Sequence, residues 1–263
     1  MKQLLGRLGL HTVCEGAQCP NRATCWHDSA AAFLILGETC TRNCRFCAIP
    51  TNAHPAPPDP GEPKRLAEAV LAMGLRHVVV TSVTRDDLAD GGAAHFAETI
   101  REIRRQVPAA TVEVLIPDFQ GDPAALDVVL AAKPDILNHN LETIERLHPS
   151  VRPQADYRRS LAVLHHAAQA GARVKSGLML GMGETDAELS AALHDLHAAG
   201  VRLLTLGQYL APSAAHYPVM RFVPPAEFDH WRDEALALGF TSVASAPHVR
   251  SSYHAEELMT PPA

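Results

Sequence analysis

Cysteine is absent beyond residue 47, aromatic residues make up only 5% of the chain, and Lys and Arg (23) are outnumbered by Asp and Glu (29). Long apolar runs are missing too. A bilayer-spanning helix needs ~20 apolar residues, so no membrane segment is expected. The N-terminus, MKQLLGRLGLHTVCEG, lacks the apolar core and small-residue cleavage site of a secretory signal. A reducing, cytoplasmic setting is therefore expected, which counts against three structural disulfides. The net charge of −6 gives no support for general nucleic-acid binding. Local basic clusters, Arg101–Arg104–Arg105 and Arg158–Arg159, read most simply as solvated helix faces. The fifteen histidines are scattered, with no pair spaced as in HExxH, and no acid–base catalyst is assigned.

What is present is an ordinary globular composition, 47% hydrophobic in 263 residues, enough to bury a large core. Apolar, β-branched runs predict strands at Ala32–Leu36, His77–Ser82, Thr111–Ile116, Asp135–His139, Arg173–Leu178 and Val201–Leu206. Helical patterns lie between them at Lys64–Met73, Ala93–Gln106, Pro123–Ala131, Tyr157–Ala170 and Asp186–Ala199, and Pro224–Leu238 predicts a last helix. Strands that are nearly all apolar and alternate with helices imply a parallel sheet covered on both faces. Six repeats are too few for an eight-stranded barrel. The expectation is an α/β fold, a partial (β/α)6 TIM-like barrel, with chemistry at the C-terminal ends of its strands. The segments expected are 1–30, rich in cysteine; 31–240, the barrel; and 241–263, a C-terminal tail. The proline-rich stretch Thr51–Pro63 reads as an extended loop.

All six cysteines fall in two triplets, Cys14, Cys19, Cys25 and Cys40, Cys44, Cys47. Three thiolates are one short of a closed tetrahedral site, so each triplet predicts a metal centre with one position left open. The second triplet has the form C-x3-C-x2-C and follows the first predicted strand, which puts it at the catalytic mouth. Zinc sites use similar spacings and remain the alternative at this point. Here the spacing resembles the radical S-adenosylmethionine (SAM) signature, with Phe46 as the aromatic before the last cysteine. That resemblance implies a 4Fe–4S cluster whose open iron chelates the amino and carboxylate groups of SAM, and whose electron cleaves the sulfonium to give a 5′-deoxyadenosyl radical.

The first triplet, HTVCEGAQCPNRATCW, and the tail VRSSYHAEE narrow the resemblance further. Together with LGETCTRNCRFCAIP, TSVTRDDLADGGA, NHNLET, VRPQADYRRSL, KSGLMLGMGET and LTLGQYLAPS, they resemble the lipoyl synthases along nearly the whole chain. The resemblance implies a second 4Fe–4S cluster held by Cys14, Cys19 and Cys25. A serine of the Arg-Ser-Ser-Tyr run completes its ligands, placed at Ser252 with Ser251 as the alternative. It also implies that this cluster is the sulfur source and that the serine departs. The implied reaction replaces hydrogens at C6 and C8 of an octanoyl chain, carried on a lysine of a lipoyl carrier domain, with sulfur. Two SAM molecules are consumed per product. The implied partners are that octanoylated carrier, an electron donor such as flavodoxin or ferredoxin, and an iron–sulfur carrier for cluster repair.

Candidate SAM contacts are Asn140 and Glu142 for the adenosyl group and its ribose hydroxyls, Arg158 for the cofactor carboxylate, and Thr81 and Ser82 for the methionine amino group. Lys175 is a further candidate cofactor contact, expected to meet a carboxylate of ligand or protein because its surroundings predict burial. The chain departs from the family at Trp26-His27-Asp28-Ser29-Ala30-Ala31-Ala32, where a Trp-Gly-x-Gly-Thr-Ala-Thr run is usual, and at Ala246 before Pro247, where glycine is usual. Two alternatives stay open: another radical SAM enzyme with an auxiliary cluster acting on a small molecule, and a non-catalytic zinc- or cluster-bearing binding module.

Overall fold

The computed structural model describes residues 2–19, 21–27, 32–253 and 255–259. Segment 28–31 of the altered run after Trp26 lies outside the described residues. Among the described residues, eight strands follow the order of the chain: β1 (His11–Thr12), β2 (Ala32–Ile35), β3 (His77–Ser82), β4 (Thr111–Leu115), β5 (Ile136–Asn138), β6 (Val174–Leu180), β7 (Leu203–Gln208) and β8 (Ser242–Ala246). The six predicted strands are β2 to β7, and the α/β class with its strand–helix repeat is present. Two strands escaped the sequence reading. β1 has only two residues, too short for any periodicity, and pairs antiparallel with β2. β8 opens the segment expected to be a tail; its sequence, SVASA, carries too few apolar residues to read as a strand.

The chain divides into two compact units, 1–42 with 48–137, and 43–47 with 138–263. In the first, β2, β3 and β4 are parallel, with Ile35 opposite Ser82 and Thr81 opposite Leu115. Val78, Val80, Val112 and Val114 are fully buried, as expected where helices cover both faces of a sheet. The helices Glu62–Met73 and Ala93–Gln106 bury Leu66, Val70, Phe96, Ile100 and Ile103. In the second unit, β6, β7 and β8 are parallel, with Lys175 opposite Leu203 and Gly207 opposite Ala246.

Helix boundaries follow local chemistry. Asp156 accepts from the Arg159 N–H at the start of Tyr157–Gln169. Thr185 and Glu188 form a reciprocal capping box for Asp186–Ala198. Gly239, at φ 106°, ends Pro225–Leu238 in a left-handed turn that a side chain would strain. Among the described residues no helix is long and apolar enough to cross a membrane.

Candidate functional site

The loop carrying the second triplet leaves β2 through a strained turn. Leu36 sits at φ 69°, a conformation that costs a non-glycine residue about 1 kcal/mol. Two buried side chains hold it there: Glu62 accepts from the Leu36 N–H at 2.9 Å, and Arg85 donates to the Leu36 carbonyl at 3.0 Å. Past this turn, Cys40 pairs with Thr51 in a short parallel bridge. Its Sγ accepts from the N–H groups of Arg42 at 3.4 Å and Thr84 at 3.3 Å.

Arg42, between Cys40 and Cys44, is buried and grips two carboxylates. It meets Asp86 at 2.6 and 2.8 Å and Asp118 at 2.6 Å. Burial alone opposes its charge, but the hydrogen bonds and charges of Asp86 and Asp118 more than offset that, and its pKa is raised. Thr41 adds a bond to the Thr84 carbonyl and accepts from the Asp86 N–H, each at 3.0 Å. In the second unit, the Cys47 N–H donates to the Cys44 carbonyl at 3.0 Å, the Arg45 N–H to Val151, and the Tyr217 N–H to the Arg45 carbonyl.

The first triplet lies in the first unit. Cys14 is buried on the short helix Val13–Gly16, whose cap Thr12 accepts from the Glu15 N–H. A Cβ on Gly16 would come within 2.9 Å of the Ile49 side chain, so this helix packs against the stretch that follows Cys47. Cys19 and Cys25 are half-buried. All six cysteines are thiols, not disulfide halves. Among the described residues no three His, Cys, Asp or Glu side chains converge as ligands of a single metal ion. A four-iron cube spreads its thiolates more widely than one ion does.

Beyond β5, in the second unit, several predicted residues meet. Asn140 donates to Glu142 Oε1 and to Ser251 Oγ, both at 3.1 Å. Lys175 is fully buried and donates to the Ser251 carbonyl at 2.6 Å. One partner is thus the tail's main chain; the expectation was a carboxylate of ligand or protein. Glu142 sits at φ 70°, its N–H on Gly177 and its carbonyl on Met179, which ties it to β6. Burial pushes its carboxyl pKa up, against the opposing pull of Arg152 and Asn140. Arg152 closes the end of β5, donating to the carbonyls of Asn140 and Leu141. Ser252 is half-buried on the turn after Arg250.

Arg158 is placed differently. It is exposed, bonds Glu145 through both Nε and Nη2 at 2.8 Å, and lies over the Tyr157 ring. It would have to leave that pair to meet a cofactor carboxylate. Thr81 is buried at the end of β3 and donates to the Leu115 carbonyl at 2.9 Å.

Each unit leaves a polar atom unmet among these residues. Ser82 Oγ and Asn140 Oδ1 are buried without a hydrogen-bond partner. Each such atom costs free energy unless a ligand meets it. Both belong to predicted SAM contacts. Sequence reasoning overlooked the Arg42–Asp86–Asp118 cluster; TRN and TRDD were both visible, but only folding pairs residues so far apart.

The radical SAM superfamily model matches residues 34–196. The lipoyl synthase of Chlorobaculum parvum is 57% identical over 97% of this chain and 88% of its own length. That of Methylococcus capsulatus is 56% identical over 98% of this chain and 80% of its own. Among solved structures, Streptococcus suis SuiB bound to precursor peptide SuiA aligns with a TM-score of 0.62 at 9% identity, over 86% of this chain and 52% of that one. Methylornithine synthase (PylB) aligns at 0.59 and 15% identity, over 81% and 71%. At such identities these two likenesses are of fold.

Proposed function

The chain belongs to the lipoyl synthase family of the radical SAM superfamily, and from that premise we propose that it inserts sulfur at C6 and C8 of an octanoyl chain. The chain would be borne by a lysine of a lipoyl carrier protein or domain. Cys40, Cys44 and Cys47 would hold the cluster that binds SAM. Cys14, Cys19 and Cys25 would hold a second 4Fe–4S cluster, the sulfur donor, with Ser252 as its fourth ligand and Ser251 as the alternative. Bound there, the first cluster and SAM supply a radical able to take hydrogen from an unactivated C–H bond.

The observation that carries this reading is the placement of the Arg250–Tyr253 run. Its Ser251 meets Asn140 and Lys175, so the tail lies among the residues expected at the reaction site. A serine hydroxyl is a weak partner for iron beside thiolates, which suits a ligand that must leave. Ser251 already spends its hydroxyl on Asn140, which favours Ser252.

The protein's own tasks follow from its side chains. Ser82 and Asn140 offer unmet polar atoms to SAM, and Glu142 offers a carboxylate to ribose hydroxyls. Arg42 fixes the cysteine loop. An electron donor such as flavodoxin or ferredoxin, an iron–sulfur carrier, and a reducing cytoplasm complete the reading. Anaerobic reconstitution with iron and sulfide counting, followed by an assay with an octanoyl-lysine peptide, tests it. Two four-iron clusters per chain and a lipoyl product are expected. A single cluster, zinc, or deoxyadenosine without lipoyl product would reject it.

A further inference from the structure

We propose that Lys175 is a positioning residue, latching the C-terminal tail so that the Arg250–Tyr253 serines are held where a departing ligand is needed. This rests on the reading of that run as a cluster ligand. Lys175 is the second residue of β6 and is fully buried. A buried ammonium is stable only where oxygens meet it, and the tail brings it one, the Ser251 carbonyl at 2.6 Å. Because the acceptor is main chain, the contact fixes the backbone path through Ser251 and Ser252 whichever hydroxyl serves.

Three further contacts run along the same tail. Asn140 holds the Ser251 hydroxyl. The Gln208 N–H reaches the Pro247 carbonyl at 3.3 Å. At Gly207 in β7, a Cβ would stand 2.1 Å from the Val249 carbonyl oxygen, so only glycine lets the tail lie this close to the strand. Past the run, Arg173 donates to the Leu258 carbonyl at 3.0 Å, and Ala255 and Leu258 are buried. Within the tail, Arg250 donates to the Pro247 and Val249 carbonyls. Lys175 adds a charged anchor from β6.

The test uses the full chain without clusters, then the reconstituted enzyme. Trypsin cuts after Arg250, and mass spectrometry reads that bond against the bond after exposed Arg101. Lys175→Met should speed cutting at Arg250 by about tenfold or more, the factor for losing one charge-assisted hydrogen bond, and leave Arg101 unaffected. Gly207→Ala, which displaces the tail through a different contact, should do the same. In the reconstituted Lys175→Met enzyme, lipoyl product formed per deoxyadenosine should fall by a similar factor. Unchanged cutting at Arg250, or equal acceleration at Arg101, overturns the latch. Faster cutting at Arg250 with an unchanged product ratio leaves the latch standing and overturns the serine ligand instead.

Discussion

Arg42 and Asp86 form a two-pronged ion pair, Nε on Oδ2 at 2.6 Å and Nη2 on Oδ1 at 2.8 Å, within the loop that carries Cys40 and Cys44. The same Nη2 reaches Asp118, whose side chain is fully buried. Arginine suits this place because its planar fork serves two carboxylates at once, which a lysine cannot do. Arg42→Ala would take from the buried Asp118 the cation it faces. The expected cost is about 3–5 kcal/mol of folding stability, measured by urea unfolding of the cluster-free protein. Arg42→Lys should recover only part of it. A loss below 1 kcal/mol for the alanine variant would mean that the loop is held by other means.

His148 gives a pH dependence with a definite sign. Its Nε2 faces the Leu141 carbonyl at 3.0 Å, and its ring stands edge-on to Tyr157. Burial, reinforced by the charge of Arg152, lowers its pKa to about 4. The unfolded chain therefore takes up this proton more readily than the folded one. Its contribution is intact above the ordinary histidine value and is lost as pH falls from there toward 4. At about 1.4 kcal/mol per pH unit, this one group removes on the order of 2–3 kcal/mol across that window. His148→Gln should flatten the unfolding free energy of the cluster-free protein between pH 6.5 and 4.5, relative to wild type. Parallel curves would rule the group out.

Much of this fold could be read before any coordinates, and the reason is physical. A strand buried on both faces, such as His77–Ser82, has no polar side to blur its pattern, and helices ended by Gly74 or started by Pro123 carry their boundaries in the sequence. β8 was missed because Ser242–Ala246 is only half-buried and uses small residues. The cysteine triplets were legible because ligand spacing is local. The partners of Arg42, Lys175 and Arg158 were not, because each lies on another element and nothing in the spacing encodes it. Arg158, read as a contact of the cofactor carboxylate, is seen paired with Glu145, a partner that no spacing announces.

The two triplets should fail differently when broken. Cys44→Ala removes a ligand from the loop expected to hold the SAM-binding cluster, and deoxyadenosine formation should drop at least about a hundredfold. Cys19→Ala touches only the set on the N-terminal segment. It should still form deoxyadenosine but give no detectable lipoyl product, and it should bind about half the iron of wild type. Anaerobic single-turnover assays with iron counting read both quantities. A Cys19→Ala enzyme that makes normal product would remove the donor role from the first triplet.

Glu142 is where binding and stability should trade against each other. Its left-handed backbone and buried carboxylate both cost folding free energy. A raised carboxyl pKa means the charge is disfavoured in the folded chain, so this stability is present at low pH and is lost as pH rises through the folded value. Glu142→Gln keeps an oxygen for the Asn140 bond at 3.1 Å and removes the buried charge. The cluster-free variant should thus be at least as stable as wild type at neutral pH. Its SAM affinity should nevertheless fall by roughly 10–100-fold, the range for hydrogen bonds to a charged acceptor. Wild-type affinity should weaken as pH drops through the raised value, while the variant's stays level. Anaerobic calorimetry at several pH values checks both, and an affinity for SAM within about twofold of wild type would take Glu142 out of the binding site.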